Sequence, residues 1–135
     1  MSENESIAIS LPSAQPTLRV VPMPYDANHN GDIFGGWIMS HVDVAGGVEA
    51  YRRAQGRVTT VAVNSFVFKQ AVRIGDVVSF YASVVETGRT SIKVDVAVYA
   101  ERNTQESRVV KVTEAVLTYV AINQQGEKRA LPTAV

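Results

Sequence analysis

The sequence predicts an α+β domain, one long helix set before a largely antiparallel sheet. Two observations carry that reading. A single stretch, from about Gly35 to Ala54, places apolar residues at helical spacing. Everything after residue 57 falls into four runs rich in Val, Ile, Thr, Phe and Tyr, with no helical pattern between them, so their strands follow one another antiparallel. At 135 residues the chain has the size of one domain.

The elements can be justified in order. Residues 1–16 mix Ser, Glu, Asn and Pro and read as a loosely held arm, with the domain spanning 17–132. "TLRVVPM" (17–23) is a short apolar run bounded by Pro22 and Pro24, suited to a first strand. "YDANHNGD" (25–32) is turn chemistry. The helix follows. Ile38, Val42 and Ala45 lie along one side of it, and Gly36, Met39, Ser40, Asp43, Gly46, Gly47 and Ala50 share another. This second face is made mostly of small residues. Each glycine inside a helix costs about 1 kcal/mol against Ala, so something must approach that face closely. Glu49 is spaced to pair with Arg52 or Arg53, and Gly56 is suited to a left-handed cap. The strands are expected at 58–68, 76–87, 90–102 and 107–122, running as a meander with turns at Gly75, Gly88-Arg89 and Asn103. In the third, Ile92, Val94, Val96 and Val98 alternate with Lys93, Asp95, Ala97 and Tyr99. One helix covers only part of one sheet face, which predicts association between chains.

Composition narrows the function. A formal net charge of zero gives no long-range attraction to nucleic acid or to an anionic membrane. The absence of cysteine excludes a disulfide framework, a thiolate nucleophile and a Cys-ligated metal, and fits a reducing compartment. The start of the chain lacks the pattern of a secretory signal, and no apolar stretch approaches membrane-spanning length. The expectation is a cytoplasmic domain.

Chemistry concentrates in "NHNGDIFGGWIMSHVD" (28–43). Asp43 has no Lys or Arg three or four positions away to pair with. A carboxylate on a closely packed face is either paired or functional. His41 points to the other side of a regular helix, and a surface or interface role suits it; His29 sits in the loop. The first amides of a helix are unsatisfied and partly positive, and Gly35-Gly36 let a ligand reach them without meeting a Cβ. A carbonyl oxygen there would be polarised as in an oxyanion hole, with Asp43 as base along the same groove. Ser40 shares the Asp43 face but has no histidine placed to activate it, so water activated by Asp43 is the simpler chemistry. The spacing of Asp26, His29, Asp32, His41 and Asp43 matches no standard metal site. Among the basic residues Arg89, Lys93, Lys111, Lys128 and Arg129, Arg89 at a hairpin tip is the best candidate for phosphate.

The run "MPYDANHNGDIFGGWIMSHVDVAGGVEA", continued through "GRVTTVAVNSFVFKQAVRIGDVVSFYASVVETGRTSIKVDV" to "TEAVLTYVAINQQGEKRALP", resembles the acyl-CoA thioesterases of the hotdog-fold superfamily, in particular the small bacterial hydrolases of broad substrate range. The resemblance implies a sheet wrapped around a central helix. It implies subunits joined edge to edge with active sites between them, and hexamers built as trimers of dimers. The implied reaction is hydrolysis of acyl-CoA, with CoA part of the substrate and no separate cofactor. On this resemblance Asp43 is the general base or nucleophile, Gly35 or Gly36 supplies the polarising amide, and Asn28 orients water or carbonyl. Arg89, Ser91 and Lys93 become candidates for contact with CoA. Two other functions compete. Dehydration or hydration of an acyl thioester pairs a histidine with an acid, and the Asp43 face carries no histidine. An acyl-CoA-binding regulator could lack a base, and this chain has one.

Overall fold

A computed structural model describes residues 9–103 and 108–134. Half of the expected arm, residues 1–8, and the turn expected just after Asn103 therefore lie outside the described residues. Among the described residues there are five strands and one α-helix: β1 (Leu18–Val20), α1 (Gly35–Ala54), β2 (Val58–Phe68), β3 (Val77–Thr87), β4 (Ser91–Arg102) and β5 (Arg108–Ala121). A 3-10 turn over Pro24–Asp26 leads into the loop before the helix.

All strand pairs are antiparallel, in the order β1-β3-β4-β5-β2. The expected meander holds for β3, β4 and β5 only. β2 does not pair with the strand that follows it; it crosses to the far edge, where Val58 faces Ala121 and Phe68 faces Thr113 of β5. Local propensity identifies strands but says nothing of which neighbour they take, and the segment 69–76 is long enough for the crossing.

The helix lies on one face of this sheet. Ile38, Val42 and Ala45 are buried, as are Ile92, Val94, Val96, Val98 and Ala100, the inward row of β4. On the other face Lys93, Asp95, Ala97 and Tyr99 are only half-buried. β2 is an exposed edge, with Val61, Val63, Val67 and Phe68 each about half open to solvent. A long apolar edge strand invites pairing with another chain.

The helix end differs from expectation in one detail. The left-handed residue is Gln55 (φ 52°), not Gly56. Gly56 instead makes room. A Cβ there would lie 2.8 Å from an Arg129 guanidinium nitrogen, and that same nitrogen donates to the Ala54 carbonyl at 3.0 Å. A cation thus satisfies the negative end of the helix. Arg52 pairs with Glu49 at 2.9 Å, while Arg53 donates to the Pro132 carbonyl at 2.8 Å.

One buried ion pair ties the crossing segment to the sheet. Arg102 Nε donates to Asp76 Oδ2 at 3.3 Å, and its guanidinium also reaches the Ala71 carbonyl. Asp76 Oδ2 accepts the Arg73 amide at 2.9 Å as well. Removing one member of such a pair leaves an uncompensated buried charge. Asp76→Ala is expected to lower unfolding stability by about 3–5 kcal/mol, read by urea denaturation at a fixed protein concentration. A loss indistinguishable from that of an exposed ion pair would show that Arg102 finds another partner.

Candidate active site

The approach to the helix is set by Asn28. Its Oδ1 accepts the amides of Asn30 (2.9 Å) and Asp32 (3.1 Å), and its backbone N–H donates to the Asp32 carbonyl at 2.8 Å. Gly31 turns the loop at φ 86°. The chain then doubles back, Ile33 N donating to Val72 O at 2.8 Å and Phe34 N to Asp26 O at 3.1 Å. The carboxamide oxygen of Asn28 is thus engaged in holding the loop, while its NH₂ group meets no acceptor among the described residues. His29 is exposed beside it.

Phe34 occupies the N-cap and offers no side-chain cap, and the first turn carries no acid. The amides of Gly35 and Gly36 have no acceptor among the described residues. The two glycines differ in surroundings. A Cβ on Gly35 would lie 3.2 Å from Phe68 Cζ, whereas one on Gly36 would meet nothing within 4 Å. The Cα of Gly36 therefore faces open space. Beside it lies a cavity of about 370 Å³ lined by Ile33, Gly35, Ile38, Phe68, Ala71 and Val72, with Lys69 and Gln70 at its rim.

Asp43 sits two turns further on, half-buried. Its Oδ1 accepts the Thr60 hydroxyl of β2 at 2.7 Å and lies 3.0 Å from the Tyr119 hydroxyl of β5. Its Oδ2 has no partner, and no cation pairs with it, among the described residues. A carboxylate oriented through one oxygen by two neutral hydroxyls leaves its other oxygen free to accept a proton, which a general base requires. Thr60 and Tyr119 are the site residues that sequence reasoning missed. The signal for Tyr119 was there in Gly46-Gly47, because the side chain that approaches the small-residue face is this tyrosine: a Cβ on Gly46 would lie 2.4 Å from its hydroxyl. Nothing in the sequence distinguishes Thr60 from the other threonines of the strands.

Gly36 and Asp43 do not converge within one chain. Seven residues of α-helix separate them by about 10 Å along the axis. Ser40 donates its hydroxyl to the Trp37 carbonyl at 2.9 Å. His41 is half-buried and does not lie beside Asp43. It packs between Trp37 (ring centroids 4.2 Å apart) and Phe80 (5.9 Å), and Nδ1 donates to the Trp37 carbonyl at 2.8 Å.

Arg89, Ser91 and Lys93 lie apart from this region. Arg89 is exposed at the β3–β4 hairpin, by the C-terminal end of the helix, where its carbonyl accepts the Leu131 amide. It makes no ion pair among the described residues. Ser91 and Lys93 belong to the row of β4 that faces away from the helix, and Lys93 pairs with Glu86 at 3.4 Å. Of the other cations, Lys111 pairs with Glu114 and Arg129 caps the helix. Among the described residues no cluster of three or more His, Cys, Asp or Glu is placed to hold a metal, and no helix is long and apolar enough to cross a membrane.

Comparison with known proteins places this geometry in a family. The family described as "Thioesterase superfamily" matches residues 30–107. The acyl-CoA thioester hydrolase YciA of Escherichia coli is 42% identical over 125 residues, covering 91% of this chain and 95% of that protein. The hexameric hotdog fold thioesterase of Campylobacter jejuni superposes with a TM-score of 0.84 at 42% identity, over 88% of this chain and 91% of the other. The hexameric thioesterase of Yersinia pestis does so at 0.84 and 44%, over 92% and 100%. The chain belongs to the thioesterase superfamily, and its single helix wrapped by a five-stranded antiparallel sheet is the hotdog fold.

Proposed function

We propose that the protein hydrolyses acyl-CoA thioesters to a free carboxylic acid and CoA. The observation that carries this is the Asp43 carboxylate, held through Oδ1 by two hydroxyls and left without a cation. Relatives named as acyl-CoA thioester hydrolases at 42–43% identity support the substrate class. In this reading the thioester oxygen lies against the Gly35 and Gly36 amides. Asp43 takes a proton from water as the water oxygen bonds to the carbonyl carbon. The negative charge that develops on the carbonyl oxygen is stabilised by the helix amides. Collapse breaks the C–S bond, and the departing CoA sulfur takes the proton back from Asp43. Direct attack by Asp43, through an acyl–carboxylate anhydride that water then opens, gives the same products. Water is the only co-reactant, so no cofactor is required. Dehydratase chemistry is disfavoured by His41, whose ring is packed against Trp37 and Phe80 with Nδ1 committed to a carbonyl.

Reacting atoms must come within about 3–3.5 Å of one another, far less than the separation of Gly36 and Asp43 along one helix. The reading therefore takes the amides from one subunit and Asp43 from a second, with the exposed β2 edge as the junction. Assembly as a hexamer, built as a trimer of dimers, follows the relatives described as hexameric. The apolar cavity beside Gly35 takes the acyl chain. The pantetheine arm of CoA carries amides, which an aliphatic lining would leave unpaired at a cost. Contact of the CoA phosphates with Arg89, Ser91 and Lys93 would also have to come from a neighbouring subunit. In this reading the domain spans 17–132, and the absence of cysteine supports the cytoplasm as its compartment.

Asp43→Asn is expected to lower kcat roughly 10²–10⁴-fold in a thiol-release assay with a panel of acyl-CoAs, with KM changed much less. Near-wild-type kcat would remove Asp43 from the chemistry. In a single turnover in ¹⁸O-water, label in the Asp43 carboxylate can arise only from direct attack, with water opening the anhydride at Cγ of Asp43.

Phe68→Ala enlarges the cavity at an exposed position. It is expected to shift the optimum of kcat/KM towards longer acyl chains. An unchanged chain-length profile would place the acyl group elsewhere.

Asn28→Ala and Asp43→Asn chains, unfolded and refolded together, test the shared site. Two-fold pairing at equal amounts leaves roughly a quarter of the sites wholly wild type. Activity that remained at the mean of the two variants, with mixed assemblies demonstrated, would assign both residues to one chain's site.

A further inference from the structure

Tyr119 is buried on the inner face of β5, and its hydroxyl reaches the helix at one residue. It donates to the Asp43 backbone carbonyl at 2.8 Å and lies 3.0 Å from Asp43 Oδ1. One hydroxyl therefore spans the main chain and the side chain of the same aspartate. That closes a small ring, which restricts rotation of the Asp43 side chain about its first torsion. Thr60 meets the same oxygen from the other strand, at 2.7 Å. Between them the two hydroxyls fix Oδ1 and turn Oδ2 outward.

Packing alone does not account for this arrangement. The tyrosine can approach only because residue 46 lacks a Cβ, which would lie 2.4 Å from the hydroxyl, 3.1 Å from Cζ and 3.2 Å from Cε1. Gly46 lies well inside a 20-residue helix, where glycine is a poor choice. A phenylalanine facing an alanine would avoid the 2.4 Å clash and the helix glycine, with the ring shifted by a few tenths of an ångström. The glycine and the hydroxyl are explained together by the contact they permit with Asp43.

We propose that Tyr119 is a positioning residue for the catalytic carboxylate, with Gly46 as the gap that admits it. Tyr119 does not touch the substrate; it acts through Asp43, and the inference rests on the reading of Asp43 as base or nucleophile. Burial first, and then the charge of Asp43 and the hydrogen bond to it, push the Tyr119 hydroxyl well above the ordinary tyrosine range. The group stays protonated, and so remains a donor, wherever the enzyme works.

The test is a set of variants measured for kcat, KM and thermal stability. Tyr119→Phe is expected to lower kcat roughly 10–100-fold, the scale of a misplaced catalytic group, with KM within about two-fold. Gly46→Ala is expected to lower kcat in the same way and to lower stability, because the new methyl displaces the ring. In Gly46→Ala/Tyr119→Phe the 2.4 Å clash with the hydroxyl is gone, and the 3.1 and 3.2 Å approaches to the ring carbons need a shift of only a few tenths of an ångström. Stability should recover in large part while kcat stays at the level of Tyr119→Phe. Adding Tyr119→Phe to Asp43→Asn should cost no further kcat, since the tyrosine acts only through the aspartate. Full kcat in Tyr119→Phe, or recovery of kcat together with stability in the double variant, would overturn the proposal and leave Tyr119 a core residue. If Asp43→Asn is itself fully active, the catalytic reading fails and the proposal with it. If Asp43→Asn is inactive and Tyr119→Phe is not, only the positioning role fails.

Discussion

The seating of the Ile38, Val42 and Ala45 stripe on the apolar rows of the sheet sets everything else. A helix has one rotational freedom about its axis, and burying this stripe removes it. With successive residues about 100° apart, the position of Val42 against the sheet determines where Asp43 points. It points along the sheet towards β5 and β2, where Tyr119 and Thr60 wait. The same seating carries Gly36, Met39 and Ser40 into the open, so the first half of the small-residue face is uncovered by its own chain while the second half is filled by Tyr119. A hydrophobic contact with no chemistry of its own thus decides the direction of a carboxylate.

The site is held by contacts of two different kinds. At the helix entrance the chain is fixed by backbone and side-chain hydrogen bonds within residues 26–34, with Asn28 at their centre. Two turns along, it is fixed by tertiary hydroxyls from distant strands. The first arrangement is local and holds the glycine amides free of side-chain caps. The second depends on the register between β2 and β5, which pairs Thr60 with Tyr119. A slip of β2 by one residue along β5 would turn the Thr60 hydroxyl away from the helix face and leave Tyr119, held in register by β4, where it is.

Much of this was legible in the sequence because the physics was local. The apolar spacing of α1 and the clean alternation of β4 mark both elements, and their limits agree with the structure to within about a residue, inside the usual scatter of element ends. Asp43 could be singled out from its missing partners. The position of β2 could not, since strand order depends on which edge buries more surface and no residue of β2 encodes it. The left-handed turn at Gln55 was missed for a related reason. Gly56 looked like the flexible residue, but its lack of a Cβ serves Arg129, which lies far along the sequence. Tyr119 was hidden in the same way: the glycines announced that something approached, and only the folded chain says what.

The crossing of β2 to the far edge carries a consequence for the order of events in synthesis. β2 emerges from the ribosome with its hydrogen-bonding groups unmatched, and its partner β5 is made only after β3 and β4. The intervening β3 and β4 can pair as a hairpin at once, but β2 must wait for the final strand. Such long-range pairing is slow relative to hairpin closure. Until it happens Asp43 has neither hydroxyl beside it, because Thr60 is unplaced and Tyr119 does not yet exist. A nascent chain halted before residue 119 would hold the helix and most of the sheet yet lack the carboxylate's setting. The carboxylate proposed as the base therefore gains its hydroxyl partners only once β5 has been made.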